Sequence, residues 1–289
     1  MKSKIMKLPL IGRFAVVADR NGQADSFPGG LEFHTNLSAQ VIRNGKALLA
    51  SEALKSNFLG RHRLRGERVI DLGSGLVTNV GVECLTNDFF RSSTLNLSTL
   101  ALANQHMSGI GTTAANALDI ALQTISTNGG QTAVAGVQTA PTAGNSQKYQ
   151  SIATIAYTGS EAVTEWGLHL AATASATTGS PLTAVSGTTV TVTGAVLTAS
   201  SSTVRGLQGY IVVFPTTGVW GLVISNTTTT ITVAAWYKIT DGTAGSAPGA
   251  TEAFTIKPVL WDHKTFAAIN VVSGDSIQFA YSLTVSSGG

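Results

Sequence analysis

The clearest pattern in the chain lies at its C-terminal end. There SIQFAYSLTV alternates Ile277, Phe279, Tyr281, Leu283 and Val285 with Ser276, Gln278, Ser282 and Thr284. Alternation of this kind puts one set on a core face and the other on a wet face, so it predicts a half-buried antiparallel strand. TFAAINVVSGDS before it reads as another strand, closed by the Ser273–Gly274–Asp275 turn. YQSIATIAYTG alternates at Tyr149, Ala153, Ile155 and Tyr157, and AVTEWGLHLA follows the Gly159–Ser160 turn, so these two strands are expected to pair as a meander. Helical spacing appears at Val77, Val80, Cys84, Leu85 and Phe89, with Ser74 or Thr78 as cap. Cys84 then lies on the buried stripe as a small core hydrophobe. A hairpin tip is expected at Asn44–Gly45–Lys46 and a short helix around Lys46 to Phe58, ending at Gly60. LNLSTLALANQHM reads as a strand from Leu95, SGIGTT as a glycine turn and ALDIALQT as a short helix.

Between Ala171 and about Thr255 the chain turns richer in Thr, Gly and Ser but keeps strand patterns of its own: TTVTVTG, GYIVVF, VWGLVIS and TITVAAWY. Thr227 to Thr230 and Asp241 to Ala250 mark loops. The organisation this predicts is a mainly β fold. An antiparallel sandwich or jelly-roll-like body spans residues 71–170 plus 256–289, with one or two short helices. An extended N-terminal arm occupies residues 1–70, and a small β-domain is inserted at 171–255.

Composition sharpens this picture. Only 11% of the 289 residues are charged, against roughly 25% in an average soluble domain, while 43% are apolar. There are 38 Thr, 33 of them after residue 100, so surface polarity comes from hydroxyls. Such a surface suits assemblies and extracellular particles better than an ordinary cytosolic enzyme, and the apolar content with a net charge of +3 argues for a folded chain. Residues 1–70 hold 12 basic and 5 acidic residues, net +7, whereas residues 71–289 hold 6 basic and 10 acidic, net −4. The densest cluster is Arg61, Arg63, Arg65 and Arg68. It fits a basic arm docking on a neighbouring subunit, and a solvated turn is the alternative reading. No nucleic-acid module or interleaved aromatics accompany it, so no specific nucleic acid is expected. Lys2, Lys4 and Lys7 precede an apolar stretch that Arg13 interrupts, so the start is expected to be retained rather than cleaved as a signal. No apolar run reaches membrane-spanning length, and no membrane association is expected.

Candidate chemistry is thin. Cys84 is the only cysteine, which excludes an intramolecular disulfide and an all-cysteine metal site. His34, His62, His106, His169 and His263 are scattered without metal-ligand spacing, and a long-range constellation stays open. Glu165 and His169 lie four apart on a strand, where they do not face each other as on a helix, and both read as surface or pairing residues. GSGLVT at Gly73 to Thr78 lacks the third glycine of a dinucleotide fingerprint, and no nucleophile elbow is present. No catalytic residues, metal or cofactor are therefore assigned. Trp166, Trp220, Trp236 and Trp261 read as β-core residues; a sugar-stacking platform using Trp220 and Trp236 is the alternative.

Four segments taken in order, DLGSGLVTNVGV (71–82), HMSGIGTTAANALDIALQT (106–124), YQSIATIAYTGSEAVTEWGL (149–168) and FAAINVVSGDSIQFAYSLTVSSGG (266–289), resemble a family of virion structural proteins from tailed bacteriophages. The long segment between about 171 and 255 departs from the simpler members, which pass directly to the F-x-A-I-N-V strand. The resemblance implies a non-enzymatic component of the virion, assembled in the host cytoplasm. The role it favours is a capsid decoration or cement protein that docks on the major capsid protein or other virion proteins. Homo-oligomerisation, by analogy as a trimer, is part of that expectation. The rival expectation is a tail or fibre adhesin that binds a host receptor or glycan through the inserted β-domain. No long coiled-coil or repeated shaft segment is present, which leans towards the capsid surface.

Overall fold

A computed structural model of the chain describes residues 31–49, 68–89, 102–129, 132–139, 148–172, 182–192, 197–201 and 203–287. They form three antiparallel sheets and one helix, a mainly β, sandwich-like fold. The first sheet runs β2-β1-β18-β8-β7, with β3 also on β1. Its strands are β1 (Leu31–Arg43), β2 (Lys46–Ala47), β3 (Ile70–Gly73), β7 (Val137–Thr139), β8 (Lys148–Ala156) and β18 (Ser276–Ser287). The second sheet runs β4-β17-β9-β5-β6, from β4 (Leu76–Val77), β5 (Gln105–Gly109), β6 (Val134–Ala135), β9 (Glu161–His169) and β17 (Leu260–Val271).

These two sheets face each other across one core. Leu37, Ala39, Val41, Ile155, Ile277, Phe279 and Tyr281 come from the first sheet, and Trp166, Leu168 and Ile269 from the second, all essentially inaccessible. Trp166 stacks on Tyr281 with ring centroids 5.6 Å apart. The alternation read at 276–285 is the cause: Ile277, Phe279 and Tyr281 point inward, while Gln278 and Ser282 stay on the outer face.

The expected meander between the strands at 149–157 and 162–171 does not form. β8 pairs with β18, and β9 pairs with β17 and β5, so the two lie in opposite sheets. Both strands carry apolar sets, Ile155 and Tyr157 on one and Val163 and Trp166 on the other. Crossing between sheets lets both sets face the same core. The chain at Tyr157 bonds instead to the turn between β17 and β18, donating from its amide to Asp275 O at 2.9 Å.

Residues 1–70 were expected to be an arm, but Leu31–Arg43 is an interior strand of the body, in register with β18 from Leu31↔Ser287 to Ile42↔Ser276. The hairpin tip at Asn44–Gly45 holds: both residues have positive φ, 50° and 72°, as a tight two-residue turn with right-handed twist requires. Lys46 and Ala47 then pair back on β1 as β2 rather than opening a helix. Leu48 continues that pairing, its amide donating to Val41 O at 2.9 Å; residues 50–58 of the expected helix, arm residues 1–30 and 50–67, and most of the expected strand at 95–102 lie outside the described residues.

Helix α1 (Asn79–Phe89) forms where the spacing predicted it. Thr78 is its cap: Oγ1 accepts from the Gly81 amide at 3.1 Å and donates to Leu260 O. A Cβ on Gly81 would sit 2.8 Å from Trp261 O, so the absence of a side chain lets α1 lie close on β17.

The expected insertion builds the third sheet, β10 (Leu182–Ser186), β11 (Thr189–Val192), β14 (Thr230–Val233), β13 (Val219–Asn226), β12 (Tyr210–Phe214) and β16 (Thr255–Pro258) in that order, with β15 (Tyr237–Lys238) on β13, so that residues 256–258, expected in the body, belong to this sheet through β16. One face holds a core of its own, including Val212, Phe214, Val223, Ile231, Trp236 and Phe254. The other face contributes Ile211, Val213, Trp220 and Leu222 to the same core as Val80 and Trp261. The insertion is therefore welded to the body through apolar packing rather than tethered as a free module.

Candidate functional site

The ionisable side chains that the sequence left scattered meet on the second sheet. β9 and β17 pair His263 with Gly167, which places His263 diagonally from Glu165 on one face. The loop at 110–125 covers that face. His263 Nε2 lies 2.8 Å from Glu165 Oε1, and Nδ1 lies 2.7 Å from Asp119 Oδ2. Since a carboxylate only accepts, an imidazole satisfies both contacts only when both ring nitrogens carry protons. Burial alone would lower the His263 pKa, but the hydrogen bonds to Glu165 and Asp119 outweigh it and the pKa is raised. Burial alone would raise that of Glu165; the hydrogen bonds from His263 and from the Gln123 and Thr124 amides hold it below its ordinary value.

Glu165 is also the organiser of the loop. Its carboxylate accepts from the amides of Gln123 at 2.6 Å, Thr124 at 3.2 Å and Gly111 at 3.1 Å. These bonds explain why ALDIALQT is not the helix its composition predicts. Its amides turn toward a buried carboxylate, while Asn116 and Asp119 close a local turn, the Asn116 amide donating to Asp119 Oδ2 at 2.7 Å. Glu161 repeats the device one turn of the loop later, accepting from Ser126 Oγ and from Asn128 Nδ2. Of Asp119, Glu165 and His263, only Asp119 reaches solvent, with 22% of its side chain exposed, at a depression of about 480 Å³ lined also by Thr113, Asn116, Gln123, Ile239 and Thr240.

A second polar group lies on the opposite, inward face of the sheet. His106 Nε2 is 2.9 Å from Ser151 Oγ, and Trp166 Nε1 donates to His106 Nδ1 at 3.2 Å. Burial, then the neighbouring His169, lowers the His106 pKa to about 3, so the ring is neutral. Trp166 is only a donor, which makes Nδ1 the acceptor and puts the ring proton on Nε2. Nε2 therefore donates to Ser151. A general base must accept the hydroxyl proton, so this serine–histidine pair is in the wrong tautomer to activate a nucleophile. Both residues are fully buried, and a Cβ on Gly136 would stand 2.2 Å from Ser151 Oγ, so backbone closes over the pair.

Asp262 is buried in the same interface. Neither carboxylate oxygen makes a well-formed hydrogen bond. Burial pushes its pKa up to about 7, against the weaker pull of the Tyr281 hydroxyl and His263. His169, expected at the surface with Glu165, is likewise buried, and burial lowers its pKa to about 4.

The residues singled out from sequence fall elsewhere. Arg61, Arg63 and Arg65 lie outside the described residues. Arg68 is exposed and donates to Ala47 O at 2.5 Å, which fixes the return of the chain beside β2. Trp220 and Trp236 are 3% and 6% exposed. Trp220 stacks on Tyr237 at 4.8 Å, and Trp236 Nε1 donates to Gly187 O at 2.9 Å, so neither offers a ring face to a sugar. The constellation around His263 went unseen because its members are 119, 165 and 263. The available signal was the concentration of ionisable residues in two strands, Glu161, Glu165 and His169 in β9 and Asp262, His263 and Lys264 in β17. Among the described residues, no group of three or more His, Cys, Asp or Glu side chains is placed to hold a metal ion. No family model, curated protein or solved structure matches the chain.

Proposed function

We propose that this protein is a non-enzymatic structural component of a tailed-phage virion, a decoration or cement protein that docks on the shell and associates with copies of itself. The observation that carries the non-enzymatic part is the closure of its polar chemistry. Glu165, Glu161, His263, His106 and Ser151 are each engaged in interior hydrogen bonds that tie loops to sheets, and the His106–Ser151 pair holds the tautomer that cannot accept a proton from the serine. Chemistry of this kind stiffens a body whose surface is poor in charge and which makes many weak contacts, each small and additive through multivalency. The four segments that resemble virion proteins supply the setting. Burial of Trp220 and Trp236 removes the stacking platform on which the adhesin reading relied.

The test is reconstitution. Purified protein is added to particles stripped of it or assembled without it, and retention is followed by co-sedimentation together with the temperature at which the particles release their genome. The expected result is saturable binding that raises the release temperature. Absence of binding to shells, with binding to host cells or glycan instead, would overturn the reading.

A further inference from the structure

The outer face of the first sheet has an unusual composition for a surface facing water. The registers align its rungs directly: Ser38, Ala280, Ile152 and Val137 form one; Gln40, Gln278 and Thr154 the next; Asn36, Ser282, Gln150 and Thr139 the one on the other side. Not one of these side chains is charged. Solvated sheet faces normally carry Lys, Glu and Arg, and depletion of charge at the centre of a patch marks the core of an interface. Among the residues of this face with described side chains, charges stand at its edges: Asp71 beside Ser38 on β3 and Lys148 at the end of β8. Val137 is 75% exposed. Among the described residues, the strands that carry this face pack on their sheet neighbours and, on the inner side, on the second sheet, and no helix or third-sheet strand packs extensively on them.

We propose that this face is the surface through which a second copy of the chain packs, sheet on sheet. The inference deepens the self-association in the proposed function and rests on that part of it alone. Three features point to a second copy. The centre is uncharged and small, so two such faces meet without like-charge repulsion. The amides of Gln40 and Gln278, directly opposed across β1 and β18, are donors and acceptors at once and so are complementary to themselves. The rim carries charges of both signs, Asp71 and Lys148 among them, which a two-fold arrangement can bring opposite each other. Strands about 4.8 Å apart rising about 3.4 Å per residue give the face an area of about 600 Å². Two copies would then bury about 1,200 Å², above the roughly 1,000 Å² that a specific interface needs. Such packing pairs copies isologously and so makes dimers, where analogy suggested trimers.

The experiment is sedimentation equilibrium of the full chain and of Thr154→Lys and Val137→Glu, both exposed positions, with Val204→Glu, exposed in the loop before β12, as control. The wild type is expected to be a dimer at micromolar concentration, each outer-face variant to weaken association at least about tenfold by placing a charge in the contact, and the control to leave it unchanged. Unaltered melting temperatures would show that the fold is intact. A wild type that stays monomeric, or a dimer indifferent to both variants, overturns the inference; so does a fall in melting temperature without change in mass, which would mean that another part of the same chain lies there. A monomer that still decorates shells would overturn this inference while leaving the particle reading standing.

Discussion

Replacing Glu165 with Ala removes the acceptor shared by His263 Nε2 and the amides of Gly111, Gln123 and Thr124. Glu165 and His263 have no exposed side-chain surface. Water therefore does not replace the lost partner, and each orphaned donor costs about 1–3 kcal/mol. Breaking a buried pair by deleting one member costs about 3–5 kcal/mol in total. At about 2–4 °C per kcal/mol for a chain of this size, the melting temperature should fall by roughly 6–20 °C. Thermal unfolding followed by circular dichroism at pH 5.5 measures it. Glu165→Gln keeps one carbonyl acceptor but presents an NH₂ to amides that need acceptors, so it should fall in between. The pH profile supplies the second readout. His263 is raised above its ordinary 6.5, so the stability it contributes is fully present below 6.5 and lost as pH rises through its raised pKa. Glu165 is lowered from 4.5, so its contribution is present above 4.5 and lost as pH falls through its lowered pKa. Both contributions coexist only between those limits, and Glu165→Ala should flatten the decline above 6.5. A loss under about 1 kcal/mol, or an unchanged decline, would refute the view that this network holds the loop to the sheet.

Asp262→Asn removes a buried carboxylate whose pKa is about 7 instead of 3.8, so wild-type stability should fall between pH 4 and 7 and the variant should lack that fall, measured by urea midpoints across the range. Gly136→Ala forces a methyl group into Ser151 and His106 and should destabilise by about 1–3 kcal/mol, as overpacking does, visible as a lowered melting temperature. Trp220→Ala and Trp236→Ala should each cost about 3–5 kcal/mol and lose native near-ultraviolet dichroism, whereas a folded variant that had merely lost glycan binding would restore the adhesin reading.

The legible parts of the fold were those where local chemistry decides. Alternation at 276–285, the Asn44–Gly45 turn, Thr78 as cap and the buried stripe through Val80 and Cys84 all follow from period and capping, and the structure has them. The illegible parts depended on partners distant in sequence. Which sheet β8 and β9 join is set by pairing with β18 and β17, at separations from Leu260↔His169 to Thr284↔Lys148, and Leu31–Arg43 becomes an interior strand only because β18 returns to meet it. ALDIALQT lost its helix to a carboxylate some forty residues on. The site followed the same rule: Asp119, Glu165 and His263 share no local motif, and only the register of β9 on β17 brings two of them together.

The measurement that bears most directly on the central claim is the copy number of this protein in purified particles, by quantitative mass spectrometry against the major capsid protein. A number commensurate with the shell subunits is expected of a decoration or cement protein. A handful of copies per particle would contradict it and place the protein at the neck, tail or fibres.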